Sequence, residues 1–540
     1  MLLLKNEMTN LSARERFIKY DNYTVYWKGF IYIPFTHSGE ASIKKFIKKI
    51  KEMGIQEAIQ LLHGNFFVTV IDHRMNKTYS FIDNSGLFEA YYDNYHISTS
   101  FLEIVKESKL NTKDLDKRRI IEFLNAGVLY NKRTFFEEVK KIDRLEILVS
   151  HENQRSLHYK VERDLEPLEE EFFVDFFAGF AKSVENLSVS VDLTGGIDSR
   201  LLATILDAND VKFECSVSGS NKDKDVAIAE EVAHKLNHSL IVSERPSTIE
   251  EKEIEQLFYF CDGLYEIFNA YSGRNSQLQR SNREVDLIIT GAGGELFKDF
   301  FWLQDFPQYR KSTSDIGKLF HTRISPIKFD TNLLSEPYAP INMNYSEHAI
   351  NELSKYEKNI NTKTYDQIYY FYRMQALAGR LLTSSSSIVN SYSPLLEYNL
   401  VRVGYNLPRM KRFFNNFHRE IITKLNPTIA KTQTTEGKLT VSSEKLELMK
   451  DTSKYVSDKG VRLAKKVIQR ILKRTLFSTR YHHESFYQSV RALPIATETF
   501  EILIKENIIK KNKTLAEVRD EHLGRIISLG LLIKYLKTSN

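Results

Sequence analysis

The chain has 540 residues, 42% hydrophobic and 27% charged, the balance of an ordinary globular protein long enough for more than one domain. Its 76 basic and 70 acidic residues leave a net charge of +6, too even a balance to imply nucleic acid as a partner. Two cysteines exclude a disulfide framework or zinc knuckle, and no window reaches the roughly 18 apolar residues of a membrane span.

Met1-Leu2-Leu3-Leu4 is too short an apolar start for a signal peptide, so a reducing, cytoplasmic setting is expected. To about residue 150 the pattern is one of short alternating strands. They fall over 23–32 (interrupted by Gly29), 63–72, 81–87, 91–92 and 97–100, with a helix predicted over 43–61. Strands with few helices between them predict an α+β layered domain.

From about residue 170 strands alternate with helices. A helix over 172–184 precedes an apolar, β-branched strand over 187–193, the pattern of a strand buried on both faces. Thr194-Gly195-Gly196-Ile197-Asp198-Ser199 follows, and then Leu201, Leu202, Ala203, Ile205 and Leu206 recur at helical spacing. Strand, glycine turn and helix N-terminus together aim backbone amides and the positive helix end at one point, which suits phosphate. Thr194 and Ser199 add hydroxyls; Asp198 is a poor neighbour for bare phosphate, so a divalent cation is expected between the two charges. There is no Gly-x4-Gly-Lys loop and no dinucleotide fingerprint.

Further strands are predicted over 212–217, 239–242 and 285–290, with helices over 225–236 and 254–260. This predicts a doubly wound α/β sheet with ligands at the carboxyl ends of its strands. Val217 and Gly219, ending the second strand, are expected beside the first loop, where their backbone can hold adenine. Cys215 on that strand reads as a core residue rather than a nucleophile. The fourth strand runs into a second glycine turn, Thr290-Gly291-Ala292-Gly293-Gly294-Glu295-Leu296-Phe297.

The Thr194–Ser199 loop resembles the SGGxDS loop of PP-loop enzymes that cleave ATP to AMP and pyrophosphate, and its surroundings resemble the asparagine synthetase family. The second turn is similar to that family's S-G-x-G-x-D-E-L, whose acidic pair helps bind magnesium pyrophosphate; here it is one residue shorter and lacks the aspartate. The resemblance implies Thr194, Gly195, Gly196, Asp198, Ser199, Val217, Gly219 and Gly291 for ATP and pyrophosphate, Asp198 and Glu295 for Mg2+, and Glu295 among the catalytic groups. The runs at 63–72 and 81–92 look like that family's N-terminal glutaminase domain, which implies an Ntn-hydrolase-like layer. That glutaminase uses an N-terminal cysteine, whereas this chain begins Met1-Leu2 and has no cysteine before Cys215, so no glutaminase activity is expected.

Residues 340–440 read as mostly helical. The aromatics over 365–382, among them Tyr369, Tyr370 and Tyr372, read as core with no role assigned. The stretch 388–397 resembles the family's acceptor-side segment, with Asn390 where the family has a glutamate and Tyr392 where it has an arginine. An amide cannot serve as a general base, so the resemblance does not imply the aspartate-and-ammonia reaction. Lys431 follows Arg419 and Pro427 in the order of the family's segment and is implied as the cation that neutralises departing pyrophosphate; Lys438 competes for the position. The tail from 442 is helical and basic, 465–474 reads as a solvated face over a core stripe, and His482-His483-Glu484 lacks the spacing of a zinc helix.

Three segments are expected: a degenerate glutaminase-like domain over 1–165, a PP-loop synthetase-like domain over 166–440, and a helical extension over 441–540. The resemblance implies an AMP-forming ligase that adenylates a small-molecule or peptide carboxylate and passes it to ammonia or a substrate amine. β-Lactam synthetases and lasso-peptide cyclases are family members of this kind without the cysteine. ATP and Mg2+ are the implied cofactors and a homodimer a candidate assembly. The alternative is an ATP-binding pseudoenzyme or regulatory partner in a peptide- or glycan-modifying pathway.

Overall fold

The alternating N-terminal stretch pairs into a six-stranded antiparallel sheet in the order Gln154–Tyr159, Glu146–His151, Lys77–Ile82, His63–Asp72, Tyr23–Tyr32, Arg16–Tyr20. The computed structural model describes residues 2–3, 16–152, 154–161, 168–244, 247–298, 315–356, 362–435, 439–454, 457 and 484–539. Tyr23–Tyr32 and His63–Asp72 pair over their whole length, Tyr23 opposite Asp72 and Tyr32 opposite His63. The expected helix over 43–61 is two, Glu40–Met53 and Ile55–Ile59, parted at Gly54, whose φ of 83° only glycine adopts readily. Its apolar stripe of Ile43, Phe46, Ile47 and Ile50 packs with Val25, Trp27, Val68 and Phe81 of the sheet. The small sheet Leu2–Leu3, Ile97–Ser98, Tyr91–Tyr92, Lys140–Lys141 adds another layer, and Phe67, Ile82, Phe88, Ile97 and Leu148 form a separate apolar cluster.

The alternating second part forms a five-stranded, wholly parallel sheet in the order Leu240–Ser243, Phe213–Ser218, Val189–Asp192, Leu287–Ile289, Asn390–Tyr392. In chain order the strands lie third, second, first, fourth, fifth. The winding direction therefore reverses between Val189–Asp192 and Leu287–Ile289. In a sheet of this order the crevice for ligands opens at the carboxyl ends of those two strands. Asn390–Tyr392 carries no strand signal in the sequence; three residues have no periodicity, and only pairing with Leu287–Ile289 makes them extended.

One hydrophobic core runs through both sheets, joining Phe30, Tyr32, Leu87 and Tyr91 to Phe173, Phe177, Phe180, Tyr392 and Leu396. Buried polar contacts cross the same boundary. The Tyr32 and Tyr392 hydroxyls lie 3.2 Å apart, Tyr392 donates to Glu397 at 2.9 Å, and His63 Nδ1 lies 3.2 Å from the same carboxylate. The C-terminal helices Pro494–Lys505 and Asp520–Thr538 pack on this body, Arg525 donating to Glu266 at 3.0 Å and Tyr535 to the Leu102 carbonyl at 3.0 Å. No helix among the described residues is long and apolar enough to cross a membrane. Lys438, the 465–474 stretch and His482-His483 lie outside the described residues.

Candidate functional site

The first glycine turn leaves the sheet where the Leu193 amide makes its last bond, to the Ser216 carbonyl at 2.8 Å. Its amides are held by short side chains. Thr194 N–H donates to Ser199 Oγ at 3.0 Å, Gly196 N–H to Thr194 Oγ1 at 3.2 Å, and Gly195 N–H to the Asp225 carboxylate at 3.1 Å. Asp225 reaches the turn from the first turn of the helix Lys224–Lys235. The helix Ile197–Asp207 starts directly behind, with Gly196 as its cap and Asp198 in its first turn, where the helix dipole favours an anion. The segment after Lys431 closes the other side: Thr435 N–H donates to the Gly195 carbonyl at 3.3 Å, and buried Arg200 donates to the Thr432 and Gln433 carbonyls at 2.5 and 2.8 Å. A Cβ on Gly195 would lie 2.5 Å from Thr435 Cγ2 and 2.8 Å from Asp225 Oδ1. A side chain there would have to displace Thr435 and Asp225.

The second glycine turn lies directly against the first. A Cβ on Gly291 would stand 3.1 Å from the Ser199 amide nitrogen, and one on Gly294 2.2 Å from Asp198 Cγ. Ser393, just past the fifth strand, fixes the turn by donating to the Ala292 carbonyl at 2.5 Å, with the Thr290 carbonyl 3.2 Å away. Gly294–Phe297 is a single tight turn that presents Glu295, and the Tyr369 hydroxyl donates to that carboxylate at 2.5 Å. Tyr369 belongs to a widened, π-type stretch, Ile368–Met374, between the helices Thr362–Gln367 and Gln375–Ser385. Such widening recurs at functional sites. Burial and then the Glu295 charge raise the Tyr369 phenol well above its ordinary pKa, so it remains a donor.

Asp198 sits at the centre. Lys298 Nζ, just past the second turn, donates to its Oδ2 at 2.6 Å, and His418 Nε2 lies 2.9 Å from Oδ1. Burial works to raise the Asp198 carboxyl, but Lys298 and His418 outweigh it and hold it well below the usual carboxylate range. Burial lowers the His418 imidazole below its ordinary value despite Asp198. The ring is fully buried on the helix Asn416–Leu425. The centre thus holds a fixed carboxylate, a lysine on it, a buried imidazole and a second carboxylate, Glu295.

For a bound metal the donors would be Asp198 and Glu295. Lys298 covers the first and Tyr369 donates to the second. Among the described residues no group of three or more His, Cys, Asp or Glu side chains is gathered for a metal ion. As arranged, these side chains do not fit a cation held by the protein. For an anion, the two turns and the start of the helix Ile197–Asp207 meet at the carboxyl ends of neighbouring strands.

The structure brings Thr194, Gly195, Gly196, Asp198, Ser199, Gly291 and Glu295 into this one place. Val217 and Gly219 end the neighbouring strand, but the Gly219 amide is committed to the Ser243 carbonyl at 2.9 Å. Lys431 is about half exposed and pairs with Glu444 at 3.0 Å; Thr435 touches the first turn while the Lys431 ammonium is directed to that surface pair. Tyr392 faces Glu397 and Tyr32 in the N-terminal half. Cys215 is buried, and burial, with Glu214 and Asp207, pushes its thiol up to about 12, as a core residue requires. Sequence reasoning does not single out Lys298, His418, Tyr369 or Asp225. Lys298 follows the Glu295-Leu296-Phe297 run by one residue and is the most findable of the four; His418 and Tyr369 come from distant helices and carry no local signal.

No family model matches this chain, and no curated protein matches it.

Proposed function

We propose that this protein is an ATP-dependent, AMP-forming amide ligase of the asparagine synthetase type. The observation that carries this is the meeting of two glycine turns, at the carboxyl ends of the first and fourth strands, where the winding of the sheet reverses. A crevice of that kind, with a helix N-terminus behind it, favours a phosphate chain over an uncharged ligand. Asp198 in the first turn and Glu295 in the second are the acidic groups expected of a pyrophosphate-releasing site.

In this proposal ATP lies with its β- and γ-phosphates toward the 194–199 and 291–294 turns. The substrate carboxylate attacks the α-phosphorus, the bond from that phosphorus to the bridging β-oxygen breaks, and pyrophosphate leaves with the electron pair. The positive end of the helix behind the turn stabilises the departing charge, a preorganised electrostatic contribution that needs no rearrangement in the transition state. An amine then attacks the acyl carbon, loses its proton to solvent, and AMP departs. With no cysteine before Cys215, the amine in this proposal comes from free ammonia or from the substrate. The cytoplasm is the proposed setting.

One observation favours a binding-only protein instead: both carboxylates of the site already have donors on them. Turnover separates the two. Across a panel of carboxylic acids, with and without ammonia, the ligase forms AMP and pyrophosphate, and Asp198→Ala abolishes that product. ADP as product contradicts the proposal; tight ATP binding without turnover on any acid supports the binding-only protein.

A further inference from the structure

Asp198 poses an electrostatic problem that the sequence alone answers with a metal. A carboxylate in the first turn of a phosphate-binding helix repels the phosphate it is placed beside, and a cation must stand between them. The structure supplies one from the chain. Lys298 Nζ lies 2.6 Å from Asp198 Oδ2, and the two side chains are only 13% and 20% exposed. The second turn makes room for this contact: Gly294 has no Cβ, and any other residue there would strike the Asp198 carboxylate that Lys298 grips. On the far side the fully buried His418 imidazole lies 2.9 Å from Asp198 Oδ1. The lysine charge against this carboxylate is that of Lys298.

We propose that Lys298 is a built-in cation of the phosphate site, standing where a metal ion was expected, so that the nucleotide's phosphates bind to the Lys298–Asp198 pair without prior metal binding by the protein. This rests on the ATP site proposed above. The ammonium is a compact point charge on a flexible stem. It can keep one contact to Asp198 while facing the phosphates, and its charge both cancels the repulsion of Asp198 and attracts the anion. A divalent ion then enters with the nucleotide, if at all, on phosphate oxygens.

The test is equilibrium binding of ATP, and separately of inorganic pyrophosphate, to the full chain by titration calorimetry, in EDTA and in excess magnesium. Wild type is expected to bind ATP in EDTA within about tenfold of its affinity in magnesium. Lys298→Met is expected to lose more than about tenfold in EDTA and to regain most of it in magnesium, whereas Lys298→Arg keeps binding in both. A purely structural lysine would weaken binding equally in the two media. Should Lys298→Met not fold by circular dichroism, Asp198→Asn and Asp198→Asn/Lys298→Met take its place: in EDTA the single variant is expected to bind ATP at least as tightly as wild type and the double variant more than about tenfold more weakly than the single, whereas two equal affinities overturn the role of Lys298. Wild-type binding that needs magnesium, or a Lys298→Met variant that matches wild type in EDTA, overturns the role of Lys298 and leaves the nucleotide site standing. No binding of ATP or pyrophosphate by wild type in either medium overturns the site itself, and Lys298 with it.

Discussion

Gly294 and Asp198 are packed so closely that a methyl group on the glycine would stand 2.2 Å from Cγ and 2.3 Å from Oδ1 of the aspartate. They belong to different turns, at the ends of strands that are neighbours in the sheet but far apart in the chain. Gly294 does not need glycine for its backbone, since its φ lies outside the left-handed region; it needs glycine for space. Gly294→Ala therefore tests the joining of the two turns without straining the main chain. Asp198 is expected to be pushed off Lys298, ATP affinity to fall at least about tenfold, and folding stability to drop by about 1–3 kcal/mol, the usual cost of overpacking. Titration calorimetry and urea unfolding read the two effects. A variant that binds ATP as wild type does would mean the turns work separately.

Acid stability is expected to depend on His522, buried in the C-terminal helix Asp520–Thr538. Burial, with the nearby Arg525 charge, lowers its imidazole from an ordinary 6.5 to about 4. A depressed histidine favours the fold while neutral. Its contribution is therefore full above about 6.5 and is lost progressively as pH falls from there through about 4. The amount at stake is about 3 kcal/mol, since each tenfold change in proton affinity is worth about 1.4 kcal/mol. His522→Phe, stacking on Phe329 whose ring centre lies 5.0 Å away, should remove that slope. Urea midpoints of the two proteins should differ between pH 7 and pH 4 by the lost amount; parallel pH profiles would contradict this.

The two halves are locked by a buried charge network. Arg380, 3% exposed on the helix Gln375–Ser385, donates to Glu89 of the N-terminal half at 2.9 Å and to Tyr91 at 2.6 Å, and lies 3.7 Å from Asp262. Lys141 donates to the other oxygen of Glu89 at 2.7 Å. Burial alone would raise the Glu89 carboxyl, but Lys141 and Arg380 outweigh it and lower it. Arg380→Met should cost about 3–5 kcal/mol, because it leaves carboxylates buried with too little positive charge. Glu89→Gln/Arg380→Met should recover part of that loss. Denaturant unfolding of the single and double variants measures both; additive losses would contradict the coupling.

The turn at 194–199 is legible in the sequence because all its parts are contiguous: a buried strand, two glycines, and a helix whose stripe begins at Leu201. The second turn is legible for the same reason, and Glu295 with it. What joins them is not. Gly294 against Asp198, Lys298 on Asp198 and Tyr369 on Glu295 are contacts between elements that only the sheet order brings together. The Tyr369 stretch has the composition of a core helix, and it is core apart from a single phenol aimed at Glu295. Asn390–Tyr392 shows the same limit in the fold: too short for periodicity, it is a strand because a neighbour pairs with it. Lys431 shows the converse, a residue whose order in the chain suggests a role but whose ammonium is directed to Glu444 on the surface.

Whether both glycine turns hold the phosphates of one ATP molecule is best read by hydrogen exchange of the full chain with and without ATP, followed by mass spectrometry peptide by peptide. Slower exchange is expected in peptides covering 194–200 and in those covering 291–298, together and at the same ATP concentration, with the antiparallel sheet unchanged. Protection of some other part of the chain, or of neither turn at saturating ATP, would contradict a shared phosphate site.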